Sequence, residues 1–434
     1  MRLPISKLFP FFGFFIVFGS AQAQTGPCKE VLSEEIKMEV AAQLQHSMAA
    51  LLNAKVVDRI SPLPICEDIE AALLENLDLS LDFALQPDLE VSAGEADIQG
   101  AYAYTKVKKV DRTFKVDRSD RLDIENQFGR VDVQTWSRNE FAVEVTIVAR
   151  AISEEKAQEI LNKIQVRINE DKANNFISFV TEREPMQIRS SSEKAFEINY
   201  LVKMPKGNPL KVSNKHGSIQ VPDLDGPTEL EMHYGVLNTG SLNNVKNRIT
   251  VAYSSGECQL AYMKGGDLQF KYSNLRLTAA DNINTVTGYS NVVIDKVNLL
   301  NMASKYDSRF HIGSAGQITG TGSYSGIKIG SLRESASLTV KYCSSFEISN
   351  VSSNFRKLEL TGGYTGMAVS FADNSAFNFE VDTQYGNFKV DQELANFSFK
   401  EVRNTSSSYK GKYGKDSPKG TVNVTSKYGS IAFR

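Results

Sequence analysis

The sequence predicts a mainly-β protein: a parallel β-solenoid of about 18–19-residue repeats, preceded by a small α/β segment and an N-terminal helical hairpin. Three observations carry that reading. A short phrase headed by an aromatic residue recurs along the second half of the chain. Apolar residues alternate with polar ones from Thr113 onward, the period of a half-buried strand. The 434 residues are 41% hydrophobic and 23% charged, the composition of folded domains rather than of a disordered chain.

The N-terminus reads as a targeting segment. Arg2 and Lys7 form a positive n-region, and Leu8 to Gly19 is a Phe-rich apolar run of 12 residues. Ala21-Gln22-Ala23 supplies a small-x-small cleavage site. Spanning a bilayer takes about 20 residues, so the run predicts a cleaved signal peptide over residues 1–23, the alternative being an uncleaved anchor. Lipidation needs Cys directly after the cleavage point, and the first Cys is Cys28. No later apolar run is long enough to form a transmembrane anchor. The chain is therefore expected to be exported: periplasmic, outer-membrane-associated or extracellular.

Residues 24–85 are expected to be helical. Leu32, Ile36, Val40, Leu44, Met48 and Leu51 recur at spacings of three and four, as do Ile69, Leu73 and Leu77 after the Ser61-Pro62-Leu63-Pro64 break. Export permits disulfides. Cys28 and Cys66 flank the first helical stretch, and two alternatives stay open for them, a disulfide or two free thiols. Residues 86–112 read as a linker. Residues 113–205 read as an α/β segment capping the solenoid, with one helix from Ser153 to about Lys163 amid strands. Ser153 has the character of an N-cap, and Glu154 and Glu155 suit the first turn.

The repeats occupy residues 206–434. Clear copies begin at His216, Tyr234, Tyr272, Tyr289, Tyr324, Tyr364, Tyr385 and Tyr428, with weaker ones at Tyr253, Tyr306, Tyr342 and Tyr409. Seven consecutive steps from 216 to 342 fall within 17–19 residues. An earlier copy is Phe128-Gly129-Arg130-Val131. Parity switches across each aromatic, from Leu268, Phe270 and Tyr272 to Leu275 and Leu277. Each repeat is thus strand, small-residue corner, strand and return. Such a unit buries its apolar face only when copies stack, at the inter-strand spacing of about 4.8 Å. Tyr234, Tyr253, Tyr272, Tyr289, Tyr306, Tyr324, Tyr342, Tyr364, Tyr385 and Tyr428 are expected to form an inward ladder at one corner, its rungs in chain order. A propeller needs blades of about 40–45 residues, and nothing alternates between odd and even copies. A membrane barrel is disfavoured because Gly and Ser corners come too often for membrane-length strands. Cys258 and Cys343 lie five steps apart, about 24 Å at one strand spacing per rung, too far for a disulfide.

Val110-Asp111-Arg112-Thr113-Phe114-Lys115-Val116 leads into Leu122-Asp123-Ile124-Glu125-Asn126-Gln127-Phe128-Gly129-Arg130-Val131-Asp132-Val133-Gln134-Thr135-Trp136, then Val143-Glu144-Val145 and Ala157-Gln158-Glu159-Ile160-Leu161. This resembles the opening of the bacterial putative-adhesin family of β-strand-repeat proteins, a domain of unknown function. The resemblance covers about residues 105–434 and implies an exported β-solenoid. It brings no catalytic residue and does not extend to residues 29–85.

The chemistry-bearing residues are sparse. A net charge of −2 argues against a nucleic-acid binder. His46, His216, His233 and His311 have no second ligand at metal spacing, so no metal or cofactor is expected. Gly265-Gly266 and Gly362-Gly363 read as turns, since no Walker-type Gly-Lys-Ser/Thr follows. A glycan-active β-helix enzyme needs paired carboxylates, and Asp267, Asp295, Asp307 and Asp382 fall at different rung positions. The chain is accordingly not expected to be an enzyme. Lys271, Lys305, Lys341 and Lys427 each directly precede a Tyr, and Lys215 precedes His216. They form a candidate binding edge for an anionic glycan or lipid headgroup, or else keep an exposed strand soluble. The expected function is an adhesin-like interaction module with an envelope protein or glycan as partner. The alternative is a structural or stress-sensing periplasmic component. The free edge of a last rung predicts either a short C-terminal cover or end-to-end self-association.

Overall fold

The computed structural model describes residues 103–186 and 195–434. The signal peptide, the helical segment over 24–85, and Cys28, His46 and Cys66 lie outside the described residues. The protein is mainly β, with one helix among the described residues and a large, mostly parallel sheet.

The first seven strands are β1 (Tyr104–Lys115), β2 (Arg121–Gln127), β3 (Arg130–Trp136), β4 (Glu140–Ala151), β5 (Ile164–Asp171), β6 (Phe176–Arg183) and β7 (Phe196–Pro205). Helix α1 (Glu154–Asn162) starts at Ser153, whose side chain accepts from the Lys156 N–H, and it buries Ala157 and Leu161. Residues 104–112 correct the expected linker: they belong to β1, paired antiparallel with β4 over its full length. Three Lys and an Arg between 106 and 112 hide the strand from a hydropathy reading, as suits an exposed edge.

The repeats begin with β8 (Leu210–Lys215), β9 (Ser218–Val221), β10 (Thr228–His233), β11 (Val236–Leu242) and β12 (Asn247–Ala252). Long strands follow, each running from one Tyr corner to the next: β13 (Glu257–Lys271), β14 (Asn274–Gly288), β15 (Asn291–Lys305), β16 (Arg309–Ser323) and β17 (Gly326–Lys341). The chain closes with β18 (Ser345–Val351), β19 (Lys357–Gly363), β20 (Met367–Phe371), β21 (Phe377–Gln384), β22 (Phe388–Lys389), β23 (Ala395–Val402), β24 (Ser406–Tyr413), β25 (Gly420–Lys427) and β26 (Ile431–Phe433).

Pairing follows the repeat. Cys258 aligns with Leu275, Leu275 with Val292, and Val292 with Phe310, a parallel register of one repeat each time. Strands before a corner pair with strands before the next corner, and strands after it likewise. The apolar parity becomes buried columns, such as Leu277, Ile294, Ile312, Ile329, Ile348 and Val369, none more than 1% exposed. Each such side chain contributes about 1.5–3 kcal/mol of burial. Cys258 occupies one of these columns, and Cys258 and Cys343 are both free and buried.

Two expectations change. Gly265-Gly266 lies inside β13 rather than in a separate turn: Gly266, at φ 125°, bends a continuous strand that pairs first with β11 and then with β12. Gly362-Gly363 are ladder residues of β19. The second change concerns order. β25 pairs with β19 on one side and β21 on the other, and β26 lies between β20 and β22. The last repeat in the chain is therefore inserted one rung inside the stack, and the Tyr385 repeat lies beyond it. The edge of β21 is covered by antiparallel β24, itself paired with β23. This is the C-terminal cover, one of the two solutions the free edge called for. At the other end β6 and β7 pair in parallel with β2 and β3, and antiparallel β5, β4 and β1 follow outward.

Candidate functional site

Every corner residue is in the left-handed region. Phe128, His216 and the ten tyrosines Tyr234, Tyr253, Tyr272, Tyr289, Tyr306, Tyr324, Tyr342, Tyr364, Tyr385 and Tyr428 have φ between 49° and 60°. That conformation costs a side-chain-bearing residue about 1–2 kcal/mol. Stacking is the offsetting term. The twelve rings form one continuous pile, with centroids 4.5–5.2 Å apart and ring planes within 3–19° of each other. Aromatic pairs contribute about 0.5–1.5 kcal/mol beyond area burial. The pile follows the spatial order: Tyr364 stacks on Tyr428, and Tyr428 on Tyr385. Arg183 lies over Phe128 at its N-terminal end, where Phe196 also meets that ring edge-on.

The ladder does not point inward. Tyr289 is 41% exposed and Tyr385 52%. A positive φ at the corner swings Cβ out of the core, which a parity argument built on extended residues misses. Tyr409 is not in the pile. It sits in β24, against Phe388 and Phe397.

Behind the rings runs a layer of small residues. In the central rungs the residue after the aromatic is buried and polar, and its side chain accepts from the corresponding N–H of the preceding rung. Ser273 accepts from Ser254 N at 3.1 Å, Ser290 from Ser273 N at 3.2 Å, Asp307 from Ser290 N at 2.8 Å and Ser325 from Asp307 N at 3.1 Å. Asp307 also accepts from the Ser304 and Thr287 hydroxyls. Burial among these neutral groups raises its carboxyl above the usual range, against the pull of the hydrogen bonds. Toward both ends glycine takes this place. A Cβ on Gly217 would lie 1.7 Å from the Gly129 carbonyl oxygen, and one on Gly429 2.1 Å from that of Thr365.

The lysines stand beside the pile. The column before the corner reads Lys271, Gly288, Lys305, Ser323, Lys341, Gly363, Lys427 in strand register. The four lysines are exposed and occupy every second rung. That spacing is even only because β25 is inserted after β19. Along the chain the gaps are 34, 36 and 86 residues. Lys215 lies in the same column, three rungs before Lys271. Lys305 Nζ lies 5.2 Å from the Tyr306 ring centroid, and Lys427 Nζ 5.5 Å from that of Tyr428. Such contacts are worth about 0.5–1 kcal/mol at exposed sites. Among the described residues no ion pair joins Lys271, Lys305, Lys341 or Lys427 to a carboxylate.

The flanking columns carry no acid over these rungs. On one side stand Gln269, Val286 and Ala303, then Thr321, Thr339, Thr361 and Thr425, and Asp382 follows only in the rung beyond. On the other side Asn274 and Asn291 align with Arg309, and Gly326 with Ser345. Arg309 thus adds a fifth cation that sequence reasoning passed over, because one extra residue after Tyr306 moves it into the Asn column. Its signal was the step from Tyr306-Asp307-Ser308-Arg309 to the shorter Tyr289-Ser290-Asn291.

The phenol hydroxyls of the pile can both donate and accept hydrogen bonds. Burial and the neighbouring Tyr272 and Tyr306 push Tyr289 up to about 12. His216 continues the pile, and burial and Lys215 hold its pKa below the usual histidine range. His233 lies 3.0 Å from Glu231, and burial together with Arg309 and Lys328 lowers His311.

No known protein-family profile and no curated protein matches the chain. Several solved structures resemble it. One is described as a putative cell adhesion protein from Clostridium sporogenes ATCC 15579, at 9% identity over 76% of this chain and 99% of that one, TM-score 0.18. Another is a putative adhesin from Parabacteroides distasonis ATCC 8503, at 10% identity over 61% and 93%, TM-score 0.29. A third, from the same organism, is a putative lipid binding protein, at 10% identity over 75% and 96%, TM-score 0.25. Likeness at this level carries no argument about what this chain binds.

Proposed function

We propose that this chain is a non-enzymatic, exported protein of the bacterial envelope whose parallel repeats wind as a β-solenoid and act as an adhesin-like interaction module. The basic strip carries the reading. In a chain of net charge −2, four lysines and an arginine share one surface whose flanking columns hold no carboxylate over those rungs. Repeat proteins bind through such extended surfaces. Export is supported by Arg2, Lys7, the Phe-rich run and Ala21-Gln22-Ala23. The winding is supported by parallel registers that advance by one repeat at each strand. The non-enzymatic reading is supported by the fate of the four candidate acids. Asp295 pairs with Arg276 and Asp267 accepts from Asn284, while Asp307 is buried among hydroxyls and Asp382 stands on another strand, β21. The test is fractionation of the native host carrying a C-terminally tagged copy, with protease shaving of intact cells. Cleavage by external protease is the expected result. Full protection in the periplasm would overturn adhesion and make the structural or stress-sensing reading the leading one.

A further inference from the structure

We infer that the strip beside the tyrosine pile binds a linear acidic polysaccharide laid along the stack, with its anionic units repeating at about two strand spacings. This deepens the interaction-module reading and rests on it.

The argument is one of spacing. Lys271, Lys305, Lys341 and Lys427 stand two rungs apart in space, roughly 10 Å at the inter-strand distance, and span six rungs or about 29 Å. The rungs between them carry Gly288, Ser323 and Gly363 in the same column, which leaves room and no charge. A duplex nucleic acid carries one charge per about 1.7 Å, far denser than this row. A membrane presents charge in two dimensions, whereas this strip is one lysine wide and bordered by Thr, Asn and other uncharged residues for most of its length. A polymer with one anion per two sugars fits the row. Its uncharged sugar hydroxyls then fall between lysines, where an exposed phenol such as that of Tyr289, on the Gly288 rung, offers a donor and an acceptor. The stacked corner also fixes where the lysines stand. The N–H of Tyr289 donates to the Lys305 carbonyl, that of Tyr324 to Lys341 and that of Tyr364 to Lys427.

The test uses the full chain and three immobilised probes: hyaluronan, with one carboxylate per disaccharide; neutral dextran; and vesicles of phosphatidylglycerol. Two variants are compared with the wild type. K271A/K305A/K341A/K427A removes the row. S323K/K341A keeps the number of lysines and breaks their period. Circular dichroism and the thermal midpoint establish that each is folded. The wild type is expected to bind hyaluronan and not dextran, and to lose affinity as salt rises. The fourfold variant is expected to bind roughly thirtyfold more weakly, from four exposed ion pairs at about two- to threefold each. S323K/K341A should weaken binding about two- to threefold, the loss of one matched cation that the lysine placed at the wrong rung does not make good. Equal binding by S323K/K341A and the wild type would overturn the spacing argument while leaving the interaction module standing. Binding to the vesicles alone would overturn the polymer in favour of a lipid surface. Binding to none of the probes would overturn the inference, while protease shaving tests the module separately.

Discussion

Replacing Tyr289 by Ala and by Gly gives a reversal that only the left-handed corner explains. Tyr289 has φ 55° and stacks on Tyr272 at 4.8 Å and on Tyr306 at 4.9 Å. Tyr289→Ala removes both stacks, about 1–3 kcal/mol together. It also removes the burial of a ring that is 41% exposed, about 1 kcal/mol more. The backbone stays left-handed with a Cβ in place, so the conformational cost of about 1–2 kcal/mol remains. Tyr289→Gly loses the same contacts and relieves that cost, less about 0.5–1 kcal/mol for the freedom glycine gives up on folding. The Ala variant should therefore be destabilised by about 2–4 kcal/mol, and the Gly variant by somewhat less. In an ordinary strand the order is the opposite. The assay is urea unfolding of the full chain followed by circular dichroism and by tyrosine fluorescence, with coincidence of the two probes checked first. A Gly variant less stable than the Ala variant by 1 kcal/mol would refute the reasoning, as would an Ala variant as stable as the wild type.

Four further outcomes follow from the same geometry. Ser290→Ala leaves the buried Ser273 N–H without its acceptor and should cost about 1–3 kcal/mol by urea unfolding. Gly217→Ala puts a methyl 1.7 Å from the Gly129 carbonyl oxygen, so the corner must open, and a loss above about 3 kcal/mol or insoluble expression is expected. Asp307 titrates with its folded pKa above its unfolded value. Its contribution is fully present below the unfolded value of about 3.9 and is lost as pH rises through the raised folded one. Asp307→Asn should flatten the fall in stability above pH 4 in thermal midpoints measured across pH, and an unchanged slope would show that Asp307 is not its source. Deleting residues 420–434 removes the shared partner of β19 and β21, so limited proteolysis should cut residues 357–413 rapidly and leave residues 206–340 resistant.

Period-two alternation makes the β character legible, and Ser153 with Glu154 and Glu155 makes α1 legible, because both signals are local. The step of 17–19 residues between aromatics corresponds to the register by which strands pair, since each repeat returns the chain to one column. Other features were illegible for physical reasons. Parity says which residues share a face, but not the sign of φ at a corner, and that sign sends the rings outward. β1 was hidden because an exposed edge strand is charged. The insertion of β25 and β26 was hidden because any rung's alternating apolar residues fit any neighbour. Only the off-pattern Tyr409 and the longer steps after Tyr342 mark it. The lysines could be read as a group, but their even spacing could not, since it depends on that insertion.

The rung order sets the spacing of the strip, and cysteine cross-linking reads it directly. Thr361 in β19 and Thr425 in β25 are exposed register partners, while Asp382 in β21 lies one strand further on. Neighbouring parallel strands hold Cα atoms within the roughly 7 Å a disulfide spans, and strands two rungs apart do not. The account predicts that Thr361→Cys/Thr425→Cys oxidises to an intramolecular disulfide and that Thr361→Cys/Asp382→Cys does not. Cross-linking of the second pair in place of the first would contradict the insertion of β25, and with it the even row of lysines.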